Sequence, residues 1–183
     1  MIIMNQLLNQ IKVFDNFFSL EIQDSILVSL SRPKWSFNGG DTDISPFWHM
    51  RYLEEENFYS VHLLKIIENS VGKQFDVINI YANGQTAGQS GCPHIDTGDY
   101  TFLYYPTPNW ENTMGGSLFF LDTIGENNSK DSEIVKTVSY KSNRAVFFPC
   151  NISHYSNAPD RHYNGIRLSV AWKLKTKKNK HSY

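Results

Sequence analysis

Residues 75–105 read FDVINIYANGQTAGQSGCPHIDTGDYTFLYY. Two apolar runs rich in β-branched and aromatic residues, 75–82 and 100–105, flank a Gly-, Ser- and Asn-rich connection. This is the pattern of strands joined by a loop. Similar runs follow: SLFFLD at 117–122, IVKTVSY at 134–140, RAVFFP at 144–149 and IRLSVAWKL at 166–174. Gly, Pro, Asn and Asp clusters separate them. Many short strands with turn signals between them predict a sandwich or barrel rather than a parallel sheet with crossover helices. Upstream the pattern differs. Leu20, Ile22, Ile26, Leu27 and Leu30 recur near helical spacing and stop at Pro33, and residues 60–71 repeat this with Val61, Leu64, Lys65 and Glu68 before Gly72. Both segments predict helices packed on the outside of a sheet.

At 183 residues the chain suits one domain with a real core. Residues 1–73 are expected to form a helical support region, 74–175 the β core and 176–183 a basic tail. Aromatic residues make up 14% of the chain, which favours a sheet-rich interior. The formal net charge is -1, and basic residues cluster only in Lys173, Lys175, Lys177, Lys178 and Lys180, a run expected to be a solvated tail. With no basic stripe interleaved with aromatics elsewhere, a nucleic-acid partner is disfavoured. The N-terminal MIIMNQLLNQ lacks a basic segment and is broken by Asn5, Gln6 and Asn9, so neither a signal peptide nor a membrane span is expected. Cys92 and Cys150 are too few for a disulfide framework and point to a reducing, cytoplasmic setting, with a single bridge between them as the alternative.

The chemistry centres on His94-Ile95-Asp96. On an extended segment residues i and i+2 point the same way, so His94 and Asp96 form a two-pronged clamp. A third ligand from a distance would complete a set of two imidazoles and one carboxylate with open positions, the arrangement of non-haem Fe(II) oxygenases. His154, just past the strand 144–149, is the preferred third ligand, with its imidazole swinging back from a loop; His162, in the polar loop DRHYNG, is the competitor. An arginine opening an apolar strand demands a reason. Arg167 and Ser169 share a face by the two-residue period, so guanidinium and hydroxyl could grip one carboxylate inside a barrel. Tyr81 with Val77 and Asn79, and Tyr105 with Thr101 and Leu103, are likewise placed on shared strand faces.

Five motifs in this order resemble the Fe(II)/2-oxoglutarate-dependent dioxygenases, and among them the prolyl-4-hydroxylase-like enzymes, small microbial and viral members included. They are His94-Ile95-Asp96, the Tyr104-Tyr105 pair, Gly115-Gly116 before SLFFLD, RAVFFP leading to His154, and RLSVAW; together they span residues 75–174. The resemblance implies a mostly β fold with flanking α-helices around a double-stranded β-helix, the jelly roll of the cupins. It implies iron on His94, Asp96 and His154, the 2-oxoglutarate C5 carboxylate on Arg167, and Tyr81 and Tyr105 beside the cosubstrate, with Ser169 and Leu103 lining its site. The implied reaction hydroxylates a C–H bond with O2, releases succinate and CO2, and draws on ascorbate as an optional reductant. The branch favours a prolyl residue of a peptide or protein as substrate, with Trp110, Tyr155 and Trp172 as candidates for stacking on its ring; a free amino acid or other small molecule is the alternative. A non-catalytic jelly-roll binding module and a zinc hydrolase are the competing classes. One departure stands out: Arg167 lies 13 residues after His154, longer than usual in that branch, which brings in Arg161, seven residues after it. Residues 83–93 are expected to form a flap over the site or a long hairpin connection.

Overall fold

The computed structural model describes residues 2–39, 45–125 and 132–177. Most of the predicted tail, residues 178–183, lies outside them. Ten strands are present among the described residues. The first three, β1 (Lys12–Phe14), β2 (Ser36–Gly39) and β3 (Phe47–Met50), fall in the region expected to be helical support. They alternate with helices α1 (Ile2–Leu8), α2 (Leu20–Leu30) and α3 (Leu64–Val71). The remainder are β4 (Phe75–Gln85), β5 (Tyr100–Tyr105), β6 (Leu118–Ile124), β7 (Ile134–Val138), β8 (Arg144–Pro149), β9 (Ile152–Ser156) and β10 (Arg167–Thr176). They form a seven-stranded sheet in the order β1-β8-β5-β10-β4-β3-β2 and a three-stranded sheet β7-β6-β9, all pairings antiparallel. This is the double-stranded β-helix.

The large sheet has two unlike faces. From β10, Val170, Trp172 and Leu174 point outward into a cluster with Ile26 and Leu30 of α2, Leu64, Ile67 and Val71 of α3, and Tyr59 and Leu63 between them. Trp172 is fully buried there and its Nε1 donates to the Tyr59 carbonyl at 3.2 Å, so it belongs to the core and is not a substrate-stacking ring. The expected helix at 60–71 exists, but its buried face differs. A π-helical turn over Phe58–Leu63 adds a residue and rotates the next turn, burying Tyr59, Leu63, Leu64, Ile67 and Val71 while Val61 stays 58% exposed. Gly72 ends the helix at φ 74, as its missing Cβ permits. The opposite face of the sheet meets the small sheet through Tyr105, Leu118, Phe120, Val146, Phe148 and Ile152.

Register fixes which side chains enter the space between the sheets. Along β10 the inward residues are Arg167, Ser169, Ala171 and Lys173, which stand opposite Gln85, Asn83, Tyr81 and Asn79 of β4. On the other flank Lys173 pairs with Thr101 and Ala171 with Leu103 of β5. A register shift after Lys173 then leaves Leu174 opposite Val77, which packs on the outer cluster. The expected common face of Val77 and Asn79 is therefore broken by a bulge at Ile78. No described helix is long and apolar enough to cross a membrane.

Candidate metal centre and anion pocket

His94, Asp96 and His154 offer ligand atoms that all lie within 4.8 Å of one another. They arrive from two directions. The backbone at His94 pairs with that at His154, each N–H donating to the other's carbonyl at 3.1 and 2.9 Å, and the Asp96 N–H donates to the Cys150 carbonyl at 2.9 Å. Residues 91–96 thus run as a short segment against residues 150–156. His154 sits on strand β9 rather than in the expected loop, and Phe148 packs edge-on to its ring at 4.7 Å.

Both imidazoles are fixed in the tautomer a metal needs. The Nδ1 atoms of His94 and His154 lie 2.9 Å from the carbonyls of Cys92 and Ile152. A carbonyl can only accept, so each Nδ1 carries the proton and each Nε2 presents its lone pair. Those Nε2 atoms approach opposite oxygens of Asp96, each at 3.4 Å. Thr101 Oγ1 donates to Asp96 Oδ2 at 2.5 Å. Burial pushes the Asp96 carboxyl up, but the Lys173 ammonium beside it outweighs that and holds it well below the usual carboxylate range. Two imidazoles turned by Nε2 towards an ionised carboxylate suit a dication.

Lys173 corrects the expectation of a solvated tail. Its ammonium is ion-paired with Asp96 Oδ2, lies 3.4 Å from Thr101 Oγ1 and stands 5.4 Å from the Tyr81 ring, with a side chain 6% exposed. Alternation along β10 was the available signal, since the period that pairs Arg167 with Ser169 reaches Lys173 two steps later. His162 and Arg161 do not join the site: both lie exposed in the loop before β10, His162 with a side chain 81% exposed.

The other end of the pocket is built on Arg167, which is 1% exposed. Its Nε donates to the Gly116 carbonyl at 3.0 Å and Nη1 to Gln85 Oε1 at 2.8 Å. The guanidinium lies over the rings of Tyr140 and Tyr105, at 4.8 and 5.3 Å. Burial presses its pKa down, and the two tyrosines counter this. Nη2 of Arg167 and the hydroxyl of Tyr105 are shut from water without a hydrogen-bond partner. A donor fork and a phenol left unsatisfied side by side fit the carboxylate of a bound acid. Burial raises the Tyr105 hydroxyl to about 12, which keeps it a donor. Gln85 and Tyr140 are supporting residues that no sequence motif marks, while Gly116 belongs to the Gly115-Gly116 motif. Tyr81, Leu103, Ser169, His94, His154, Arg167 and Lys173 line one cavity, so every expected site residue except Tyr105 and Asp96 lines it directly, and those two abut it through Arg167 and Lys173. Trp110 packs on Tyr140 and Tyr163 and Tyr155 on Phe119, so neither of these rings lines that cavity.

No family model matches the sequence, nor does any curated protein. Solved structures do. A Pseudomonas putida prolyl-4-hydroxylase aligns at 12% identity and a TM-score of 0.61 over 94% of this chain and 100% of its own. A 2OG-Fe(II) oxygenase family oxidoreductase from Burkholderia pseudomallei aligns at 9% identity and 0.67, covering 94% and 87%. The alpha-ketoglutarate-dependent carbocyclase SnoK from nogalamycin biosynthesis aligns at 11% and 0.68, covering 92% and 79%. The chain has the fold of the 2OG-Fe(II) oxygenases, prolyl hydroxylases among them.

Proposed function

We propose that this protein is an Fe(II)- and 2-oxoglutarate-dependent oxygenase that hydroxylates a C–H bond and releases succinate and CO2. The observation that carries the reading is the convergence of His94, Asp96 and His154 in one pocket with a buried arginine that has an unpartnered nitrogen. Bound iron, with 2-oxoglutarate and O2, would supply the oxidising chemistry. The chain's own residues bind and orient. His94, Asp96 and His154 hold the metal, and the carbonyls of Cys92 and Ile152 keep the two imidazoles turned towards it. Arg167 and Tyr105 take the far carboxylate of 2-oxoglutarate, with Ser169 on the same face, while Leu103 and Tyr81 wall the slot. No side chain has to remove a proton from the substrate carbon, and the pocket holds no further buried carboxylate suited to a general base. Ascorbate would serve as an optional reductant, and a cysteine content too low for a disulfide framework suits a reducing compartment such as the cytoplasm.

A prolyl residue of a peptide or protein is one substrate reading, supported by the fold shared with prolyl hydroxylases. A second, a free amino acid or other small polar molecule, is favoured by the unpartnered polar atoms of Asn83 in the pocket wall and of His49 and Asn79 in the adjoining groove, and by a pocket lining without the three expected stacking rings. Anaerobic titration with Fe(II) and 2-oxoglutarate is expected to produce a visible charge-transfer band, and admission of air to release succinate. Wild-type protein that gives neither overturns the oxygenase, and an Asp96→Ala variant with an undiminished band overturns the ligand set.

A further inference from the structure

We infer that the substrate is a compact molecule bearing a carboxylate, which Lys173 receives beside the metal centre. The inference rests on the proposed oxygenase function and deepens it. Lys173 is a cation in the barrel interior whose counter-ion is Asp96, and Asp96 is also the carboxylate needed by the metal. With a dication on Asp96 the ammonium has to share that single negative charge with a like-charged neighbour. The loaded pocket can be tallied: the dication, Arg167 and Lys173 exceed Asp96 and a dicarboxylate cosubstrate by one positive charge. Buried positive charge in excess of the negative charge around it is strongly unfavourable, so one more anionic group belongs there.

The surroundings specify where it would come from. Tyr81 is the shared wall between the metal pocket and an adjoining groove lined by His49, Arg51, Tyr52, Glu54, Asn79 and Ile80. Lys173 stands opposite Asn79 on the neighbouring strand, at the junction of the two. Both ring nitrogens of His49 and the Oδ1 atoms of Asn79 and Asn83 are shut from water with no partner. Burial, aided by Arg51, lowers His49 to about 4, so its ring is neutral and offers one donor and one acceptor. Arg51 and Glu54 are both present in the groove and offset each other, which leaves Lys173 as the cation to be matched. The Glu54 carboxylate already accepts from the Ile80 N–H at 3.0 Å. A molecule entering from the groove therefore meets neutral hydrogen-bonding groups and two opposite charges first and the Lys173 ammonium last. That order fits a small acid carrying hydroxyl, amine or amide groups.

The test uses wild-type protein loaded anaerobically with Fe(II) and 2-oxoglutarate, titrated with free L-amino acids, their N-acetyl derivatives and the carboxamide of each. Perturbation of the visible band and calorimetric heat report binding. At least one acid should perturb the band, with its carboxamide binding about tenfold more weakly or worse. Lys173→Gln should erase the preference for acid over amide, and Lys173→Arg should keep it. If Lys173→Gln fails to fold, the wild-type acid-to-amide comparison decides alone. Binding of no acid in the panel, equal binding of acid and amide, a neutral blocked prolyl peptide perturbing the band in their place, or a preserved preference in Lys173→Gln each overturns the inference and leaves the oxygenase reading standing. Absence of the band in wild-type protein is the separate outcome that removes both.

Discussion

The two ends of the pocket solve opposite problems. At the metal end most polar groups satisfy one another: Asp96 takes Lys173 and Thr101, and the imidazoles are tied through Nδ1 to carbonyls. At the anion end Arg167 is held rigidly by Gln85 and Gly116, yet one guanidinium nitrogen and the Tyr105 hydroxyl are left over. The first arrangement stabilises the empty protein and must be rearranged to accept a cation. The second has its cost of desolvation already incurred and gains from a ligand. Self-pairing and preorganisation are thus separated by six residues of β10, from Arg167 to Lys173.

Substitutions should break this contrast in a definite order. Asp96→Ala strands the Lys173 ammonium, so urea unfolding of the metal-free protein should show a loss of about 3–5 kcal/mol. The double variant with Lys173→Met should recover most of it. Arg167→Met should weaken 2-oxoglutarate by about 2–5 kcal/mol in calorimetry, while Fe(II) binding measured without cosubstrate stays close to wild type. Gly116→Ala is a gentler probe of the same end. The residue has φ +74, and a Cβ there would lie 2.8 Å from Arg167 Nε and 3.0 Å from Trp110 Cζ2. A stability loss of about 1–3 kcal/mol is expected on thermal unfolding, together with weaker 2-oxoglutarate binding. Tyr105→Phe should be smallest: its hydroxyl has no partner in the empty protein, so stability should change by less than about 1 kcal/mol. Cosubstrate affinity should nonetheless fall several-fold. A Tyr105→Phe variant with a large stability loss and unaltered affinity would show that the two ends do not differ as described.

What the sequence discloses follows the same divide. His94, Asp96, Arg167 and Ser169 stand two residues apart on extended segments, and period-two reasoning places each pair without further information. Tyr105 and Leu103 follow from the same rule. Residues whose position depends on contacts distant in sequence were harder to place. His154 looked like a loop residue because strand β9 is only five residues long and is defined by pairing with β6 rather than by its own composition. Lys173 looked like part of a basic tail because neighbouring charges, Lys175 and Lys177, do lead outward; its burial depends on Asp96, far away in the chain. The face of the helix after Phe58 was misjudged because a π-helical turn is invisible to a 3.6-residue period, and the phase of Val77 because a bulge at Ile78 resets alternation. Gln85 supports Arg167 without any motif that would mark it, and the Gly115-Gly116 motif marks a close backbone approach without disclosing that the Gly116 carbonyl holds the guanidinium.

The alternation of β10 also limits how this protein can change over time. Arg167, Ser169 and Lys173 face the pocket because Leu168, Val170, Trp172 and Leu174 face away from it. Point substitutions can retune one position at a time. Insertion or deletion of a single residue within that stretch would instead exchange the two sets, sending both cations into the apolar layer and the indole of Trp172 into the pocket. Core and site are therefore inherited together along this strand, and lineages descending from it should vary in length at the loops on either side of β10 and hardly at all within it.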